Sequence, residues 1–405
     1  MVTMRFDWRD IFRSARLAFS FQRLWIQFVG MLLGYLIYVV LTYLSLILAG
    51  NNFSVFWARY GLVPCVMGTP LPWYSWIVYI AGVVVLVYAW MVTALAVARA
   101  AYMNLKGNTF YTWKEAFNFA LKRKGGSVIS TPVAIAFIIF FTGLGGVVVG
   151  LLGRIPYVGE VGISLFAVIW FMASLFLVFV ILALAVSFLL TPAILATTDD
   201  DAFEGIFQSF SVMYTQPWRL IFYELLLTIV SILGLGIFAI FAKKAWALMT
   251  TILLWGMGDK YADLSYAASY LLQSWINPMW MWVKNIIGIG YSSYTSLFFF
   301  SQDFIDYGLS PVTTVSAWIF AIFLIVIGGF IISYPFAIFN VGQSIVFMIL
   351  KKVKDDENLL ERKDREEEIE EEEKQEEVPE PEPERKKTKQ AAKKTTSTRK
   401  KKEKK

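Results

Sequence analysis

The side chains that most often carry chemistry are scarce in this chain. It has no histidine and a single cysteine, Cys65. Zinc and iron sites built on His or Cys, histidine general bases, Cys–His nucleophiles and intramolecular disulfides are thereby excluded. Cys65 itself reads as a bystander rather than a reactive thiol. Carboxylates remain. Asp199, Asp200 and Asp201 are adjacent, but neighbouring carboxylates without a second acidic cluster coordinate Mg²⁺ or Ca²⁺ poorly, and a helix start favoured by the macrodipole is the better reading. Glu224 lies about one turn inside an apolar run, close to Arg219. An interfacial carboxylate and a buried relay are its two readings, and the first is preferred. No catalytic residue, metal or cofactor is expected.

The elements that must hold these residues are membrane spans. Of 405 residues, 57% are hydrophobic and 17% charged, against about 25% charged in a soluble domain. Residues 351–405 hold 19 of the 37 Lys+Arg and 18 of the 31 Asp+Glu, so two regions are expected: a helical membrane domain over 1–350 and a charged tail over 351–405. Apolar runs of the roughly 20 residues needed to cross hydrocarbon lie at Trp25–Ala49, Trp73–Ala98, Ser127–Leu152, Val161–Ala196, Leu220–Phe241 and Val315–Leu350. They are continuous, without the alternation of a barrel, so the fold class is all-α: a polytopic integral membrane protein of about six transmembrane helices.

Lysine and arginine set the direction. Residues 1–24 carry five and residues 99–126 carry six, whereas the loop 50–72 carries only Arg59 and the hairpin 153–160 only Arg154. Both termini are therefore expected in the cytoplasm, in a cell membrane of the bacterial inner-membrane kind. The first apolar run is too long for a cleaved signal peptide, and no lipid-anchor motif is present at either end.

Three segments leading into spans share a capping-box pattern: Asp7-Trp8-Arg9-Asp10, Thr112-Trp113-Lys114-Glu115 and Asp201-Ala202-Phe203-Glu204. The first two continue in register to Phe12 and Phe117, and the first and third share Ile-Phe-x-Ser at Ile11 and Ile206. An internal repeat of interfacial amphipathic helix plus span is one explanation, and the ordinary gathering of aromatic and basic residues at membrane edges is the other. Arg9, Arg13 and Arg16 are candidates for a lipid or partner interface on either account. Pro192, then Glu204-Gly205, Ser209 and Trp218 resemble a pattern in the membrane domain of bacterial glycerophosphoryl diester phosphodiesterases and allied multi-pass proteins. The resemblance spans about Trp73–Phe241 and implies a helical membrane unit with interfacial connecting helices. It carries over no catalysis, because that enzyme's histidines and separate barrel domain have no counterpart here.

Residues 242–314 combine Trp246, Trp255, Trp275, Trp280 and Trp282 with many tyrosines, which favours the headgroup layer. Short helices lying on or dipping into the outer leaflet are expected there, with Lys243-Lys244 and Asp259-Lys260 opposing a crossing. These tryptophans form the second candidate lipid or partner surface, against the plainer reading of a lid over polar helix ends. Two further short spans, 245–257 and 286–300, stay open. Gly30 with Gly34, and Gly146 with Gly150, have the small-residue spacing of close helix packing, expected within the chain rather than between copies.

The tail opposes two charge blocks: Asp355–Glu384 has 17 acidic and 4 basic residues, and Arg385–Lys405 has 12 basic and 1 acidic. A charged helix is expected to continue the last span until Pro379, Pro381 and Pro383 end it, with disorder beyond. The basic block suits anionic lipid or a ribosomal or protein partner, its composition being similar to the ribosome-binding tails of some membrane insertases, but nothing in it supports sequence-specific nucleic-acid binding. A chain cut after Lys354 is expected to keep its bundle intact. The functional expectation is a non-enzymatic membrane scaffold or assembly protein whose tail recruits a partner. The alternative is a transporter or lipid-handling protein that works through 242–314; oligomeric state stays open.

Overall fold

The computed structural model describes residues 4–50, 52–66, 70–287 and 310–362, and these contain helices and turns but no strand. A 3₁₀ turn at Trp8–Phe12 and α1 (Arg13–Ala18) lead into α2 (Phe21–Leu48), α3 (Phe53–Tyr60) and α4 (Trp73–Lys106). Next come α5 (Trp113–Asn118), a π turn at Phe119–Arg123, α6 (Gly125–Leu152), α7 (Val158–Leu165) and α8 (Ala167–Thr198). The series ends with α9 (Ala202–Thr215), α10 (Pro217–Met257), α11 (Asp259–Ile287) and α12 (Pro311–Asp355). Six of these, α2, α4, α6, α8, α10 and α12, are long and apolar enough to cross a membrane, and the protein is an all-α, multi-pass membrane protein. The end of the bundle that bears α1, α5 and α9 is called the near end below, and the opposite one, with α3, α7 and α11, the far end.

The spans are ordered as three successive units. In each, a short helical segment at the near end leads into an outgoing span (α2, α6, α10), and a returning span follows (α4, α8, α12). Outgoing and returning spans pair within a unit, and the three returning spans pack on one another at the centre. Each short segment lies on the returning span of the unit before it: α5 on α4, α9 on α8, and α1 on α12, a contact that closes the ring. The returning spans are buried over their last turns, Met91–Met103, Leu190–Asp199 and Asn340–Leu350, except for isolated residues at those limits. Each stops at a residue of positive φ, Gly107 (103°), Asp199 (57°) and Asp356 (54°), the left-handed stop that releases the chain from a helix. The packing order recurs with a unit of one short segment and two spans, where the sequence suggests a segment and one span.

Close approach inside the first unit depends on glycine. A Cβ at Gly30 would sit 2.0 Å from Thr93 Oγ1, and one at Gly34 would sit 2.5 Å from Ala89 Cβ. The similarly spaced Gly146 and Gly150 of α6 have nothing within 4 Å of the same position, so intrachain packing holds for the first pair and not the second. Gly30→Val should destabilise the detergent-solubilised protein by about 1–3 kcal/mol through overpacking, and Gly146→Val should stay within about 0.5 kcal/mol. Thermal melts of the two variants check this; equal losses would place the α2–α4 contact elsewhere.

The far end corrects the expectation of short helices on a membrane surface. At 41 residues, α10 extends about 60 Å and continues through Lys243 and Lys244 to Met257. It is followed by one long helix, α11, whose Ala267, Ala268, Leu272 and Trp275 pack with Ala317 and Ala321 of α12. The turn after α3 docks there too: Gly61 has φ 56°, Leu62 N donates to Trp275 O at 2.9 Å, and a Cβ on Gly61 would meet that carbonyl at 2.0 Å. The expected run Val161–Ala196 is interrupted at Phe166, between α7 and α8. Part of the possible span 286–300 lies outside the described residues.

The membrane unit runs to Glu361, so residues 351–361 belong with it rather than with the tail. The charged helix expected to run past this point stops at Asp355. Lys352 Nζ reaches the Asp356 carboxylate at 2.8 Å and holds it below the ordinary carboxyl range. Leu359 (1% exposed) and Leu360 (5%) then fold into the main core, and Leu359 O accepts from Tyr102 Oη at 2.7 Å. Residues 363–405, on which the opposed charge blocks, the prolines and the expected disorder fall, lie outside the described residues.

Candidate functional site

The near end holds most of the residues singled out by type and spacing. Of the three capping-box segments, only one forms the box: Thr112 Oγ1 accepts from Glu115 N at 3.3 Å and Thr112 N donates to Glu115 Oε2 at 2.6 Å. At the first segment the carboxylate turns inward. Asp10 is 1% exposed, accepts from Arg5 N and Phe6 N at 2.8 Å each, and pairs with Arg13 Nη1 at 3.2 Å. It fastens the entering chain instead of capping a helix. At the third, Asp201 occupies the N-cap position without a side-chain cap bond, and Glu204 accepts from Gln208.

The first two segments nonetheless build the same surface feature. Trp8 and Phe12 meet edge-on at 6.1 Å with Arg9 Cζ 5.5 Å over the indole. Trp113 and Phe117 meet edge-on at 6.5 Å with Lys114 Nζ 5.6 Å over the indole. The shared spelling of acceptor, Trp, base, acid, any residue and Phe thus has a shared geometry. Arg9 and Arg16 are exposed; Arg13 is half-buried and tied to Asp10.

Beneath this surface lies a buried ionic cluster that the sequence reading missed. Lys124, 3% exposed, donates to Asp199 O at 2.8 Å and Asp200 O at 3.0 Å, and its Nζ lies 3.1 Å from Asp199 Oδ1. Arg123 Nη2 is 2.8 Å from Asp199 Oδ2. Arg99, fully buried, donates to Ala196 O at 2.9 Å and places its Cζ 4.3 Å over the Phe119 ring. Three cations from α4 and the π-turn region therefore gather at the C-terminal end of α8, where the helix dipole is negative. Arg99 sits on a carbonyl of its last turn, Lys124 on the carbonyls just beyond it and Arg123 on the Asp199 carboxylate. The aspartates expected to start a helix have divided roles: Asp199 ends α8 in the left-handed conformation, and Asp201 precedes α9. Among the described residues no cluster of three or more His, Cys, Asp or Glu offers a metal site.

Within the spans, polar side chains meet in pairs. Glu224 Oε2 accepts from Gln343 Nε2 at 2.7 Å, joining α10 to α12, and Gln27 Oε1 accepts from Asn340 Nδ2 at 2.7 Å, joining α2 to α12. Glu224 thus has a partner that its proximity to Arg219 in sequence did not suggest. A small cleft between the returning spans, lined by Trp90, Phe188, Pro192, Phe339 and Asn340, lies just above their buried ends.

The five far-end tryptophans do not form one surface. Trp275 is 7% exposed and lies 5.0 Å from Trp318, while Trp246 stacks on Phe320 at 5.9 Å. Trp275 is a packing residue, because alanines at the α11–α12 contact let those helices close around it, and Trp246, half-buried on α10, rests against α12. Trp255 is 93% exposed. Trp280 and Trp282 lie on α11, and their side chains are outside the described residues.

Of the residues of the phosphodiesterase-like pattern, Pro192, Gly205 and Ser209 have packing roles, while Trp218 is 81% exposed. Pro192 is buried within α8, Ser209 Oγ donates to Gly205 O at 2.7 Å, and a Cβ on Gly205 would lie 2.8 Å from Thr131 Oγ1. The pattern seats α9 on α6 and α8. Compared with known proteins, the chain matches no protein family, no curated protein and no solved structure.

Proposed function

We propose that this protein is a non-enzymatic scaffold or assembly factor of a cell membrane, with its near end in the cytoplasm and its charged tail recruiting a partner there. The observation that carries this reading is the exit of the tail. The central span α12 ends at Asp356, and Leu359 and Leu360 are held against the core, with the Tyr102 hydroxyl on Leu359 O. A 43-residue segment, 363–405, therefore begins from a fixed point on the bundle, which suits a tether better than a hinge. Its +11 terminal block matches the phosphates of anionic lipid or of ribosomal RNA, a contact of charge alone.

Truncation after Arg362 tests the reading, since it removes 15 basic and 14 acidic residues and hardly changes net charge. Binding to ribosomes and anionic liposomes should fall at least tenfold, and binding by the full chain should weaken with added salt. Equal binding by both proteins at low and high salt would sink the recruitment role. A second reading, lipid handling, is supported by the far part of α10, where Leu248 (63%), Ile252 (58%) and Trp255 (93%) expose one apolar stripe. The resemblance to the phosphodiesterase membrane domain points the same way.

A further inference from the structure

The three near-end segments occupy equivalent places in the fold but differ in charge. In the first, Ile11, Ser14 and Ala18 face the protein at 0% exposure, while Arg9, Phe12 and Arg16 lie on the exposed side. In the second, Ala116, Phe119 and Ala120 are buried, with Trp113, Lys114, Leu121 and Lys122 exposed. The third buries Gly205, Ser209 and Val212 in the same manner and exposes Phe203 (78%) and Phe207 (56%). Yet α9 has no lysine or arginine, and Asp200, Asp201 and Glu204 stand at its start. Aromatic anchors are thus present at all three, and the segment's own cations accompany them at only two. At the third, the neighbouring Lys354 is half-buried and tied to Ser211 Oγ, toward the opposite end of α9 from Phe203.

Aromatic rings of this exposure settle at the depth of lipid headgroups. A cation lying over such a ring is held at that depth, within reach of a lipid phosphate, and each one near the surface favours anionic lipid. We propose that the first two near-end segments are binding sites for anionic phospholipid headgroups, at Arg9 with Arg16 and at Lys114 with Lys122, and that the third, acidic segment excludes those lipids. The bundle then gathers charged lipid on two of its three sides. The proposal does not depend on what the tail recruits.

The test uses the full chain in nanodiscs of phosphatidylcholine with a minor fraction of phosphatidylglycerol. A photo-crosslinking benzoylphenylalanine is placed at Phe12, Phe110 or Phe203, which are 49%, 90% and 78% exposed. Capture of phosphatidylglycerol, relative to its bulk share, should be enriched about fivefold per engaged cation at 12 and 110 and should fall to the bulk share or below at 203. Arg9→Ala with Arg16→Ala should abolish the enrichment at 12 and spare it at 110; Lys114→Ala with Lys122→Ala should do the converse. Asp201→Lys with Glu204→Lys should create enrichment at 203. Arg9, Arg16, Lys114 and Lys122 are exposed, so their variants test charge rather than folding. Asp201 lies 3.9 Å from Lys124 Nζ and Glu204 is bonded to Gln208, so a thermal melt of the double-lysine variant checks its fold alongside. Equal capture at all three positions, or enrichment that survives the paired alanine changes, overturns the proposal.

Discussion

Asp199→Ala should destabilise the protein by about 3–5 kcal/mol, the largest loss expected from a single polar substitution. The side chain of Lys124 is 4% exposed and that of Asp199 3%, so removing the carboxylate leaves an ammonium in the interior with two carbonyls and the more distant, exposed Asp201 carboxylate at 3.9 Å to balance it. Breaking one half of a buried pair costs this much because the surviving charge stays desolvated. Arg123, whose side chain is 28% exposed, loses the same partner but can turn toward water. Part of the loss comes from the backbone, since φ at Asp199 is 57° and alanine in that region costs roughly 1–2 kcal/mol more than a residue that tolerates it. Asp199→Asn separates the two effects, because asparagine accepts the left-handed conformation and keeps an acceptor while losing the charge. Adding Lys124→Met to Asp199→Ala should recover stability relative to the single change, as removing both members of a buried pair often does. Unfolding in mixed micelles with increasing SDS would measure all four proteins. A loss below about 1 kcal/mol for Asp199→Ala would mean that the pair behaves as a solvated surface bridge.

The spans were legible because lipid imposes a single demand, a continuous apolar helix, and the described residues meet it six times. Which residues face each other was not legible to the same degree. Lys124 counted in the sequence as one more positive charge at a membrane edge, and that count cannot tell a solvated lysine from one folded onto the end of α8. Asp199 looked like a helix start since aspartate serves at N-caps and also tolerates positive φ, and only the position of α8 decides between them. Gly30 with Gly34 and Gly146 with Gly150 have one spacing and opposite environments, because spacing permits close approach without supplying the partner. Trp275 read as a headgroup ring, although the small residues Ala267, Ala268, Ala317 and Ala321 were a signal that α11 and α12 come close enough to bury it. In the Trp8 and Trp113 segments the shared spelling did mark a shared surface feature, since residues four apart on a helical turn are neighbours, but the capping box it predicted forms at Thr112 and not at Asp7.

Truncation after Lys354 is the second large effect, and it reverses what composition alone suggests. The removed stretch looks like the first part of a solvated acidic tail, yet it includes Leu359 and Leu360, 1% and 5% exposed in the main core. Burial of a leucine contributes roughly 1.5–3 kcal/mol, so losing two should destabilise the bundle by at least about 3 kcal/mol. Tyr102 adds to this: its ring is fully buried and its hydroxyl donates to Leu359 O, and a buried hydroxyl left without its acceptor costs about 1–3 kcal/mol. Truncation after Arg362 leaves all of these contacts in place and should cost less than about 0.5 kcal/mol. Thermal melts of the two truncated proteins beside the full chain would show the contrast. Leu359→Ser with Leu360→Ser in the full-length protein should reproduce most of the loss with the tail still attached, which places the effect in the folded-back turn and not in the charge that follows it. If both truncations melt together with the full chain, the turn at 356–361 is not part of the bundle, and the fixed exit proposed for the tail goes with it.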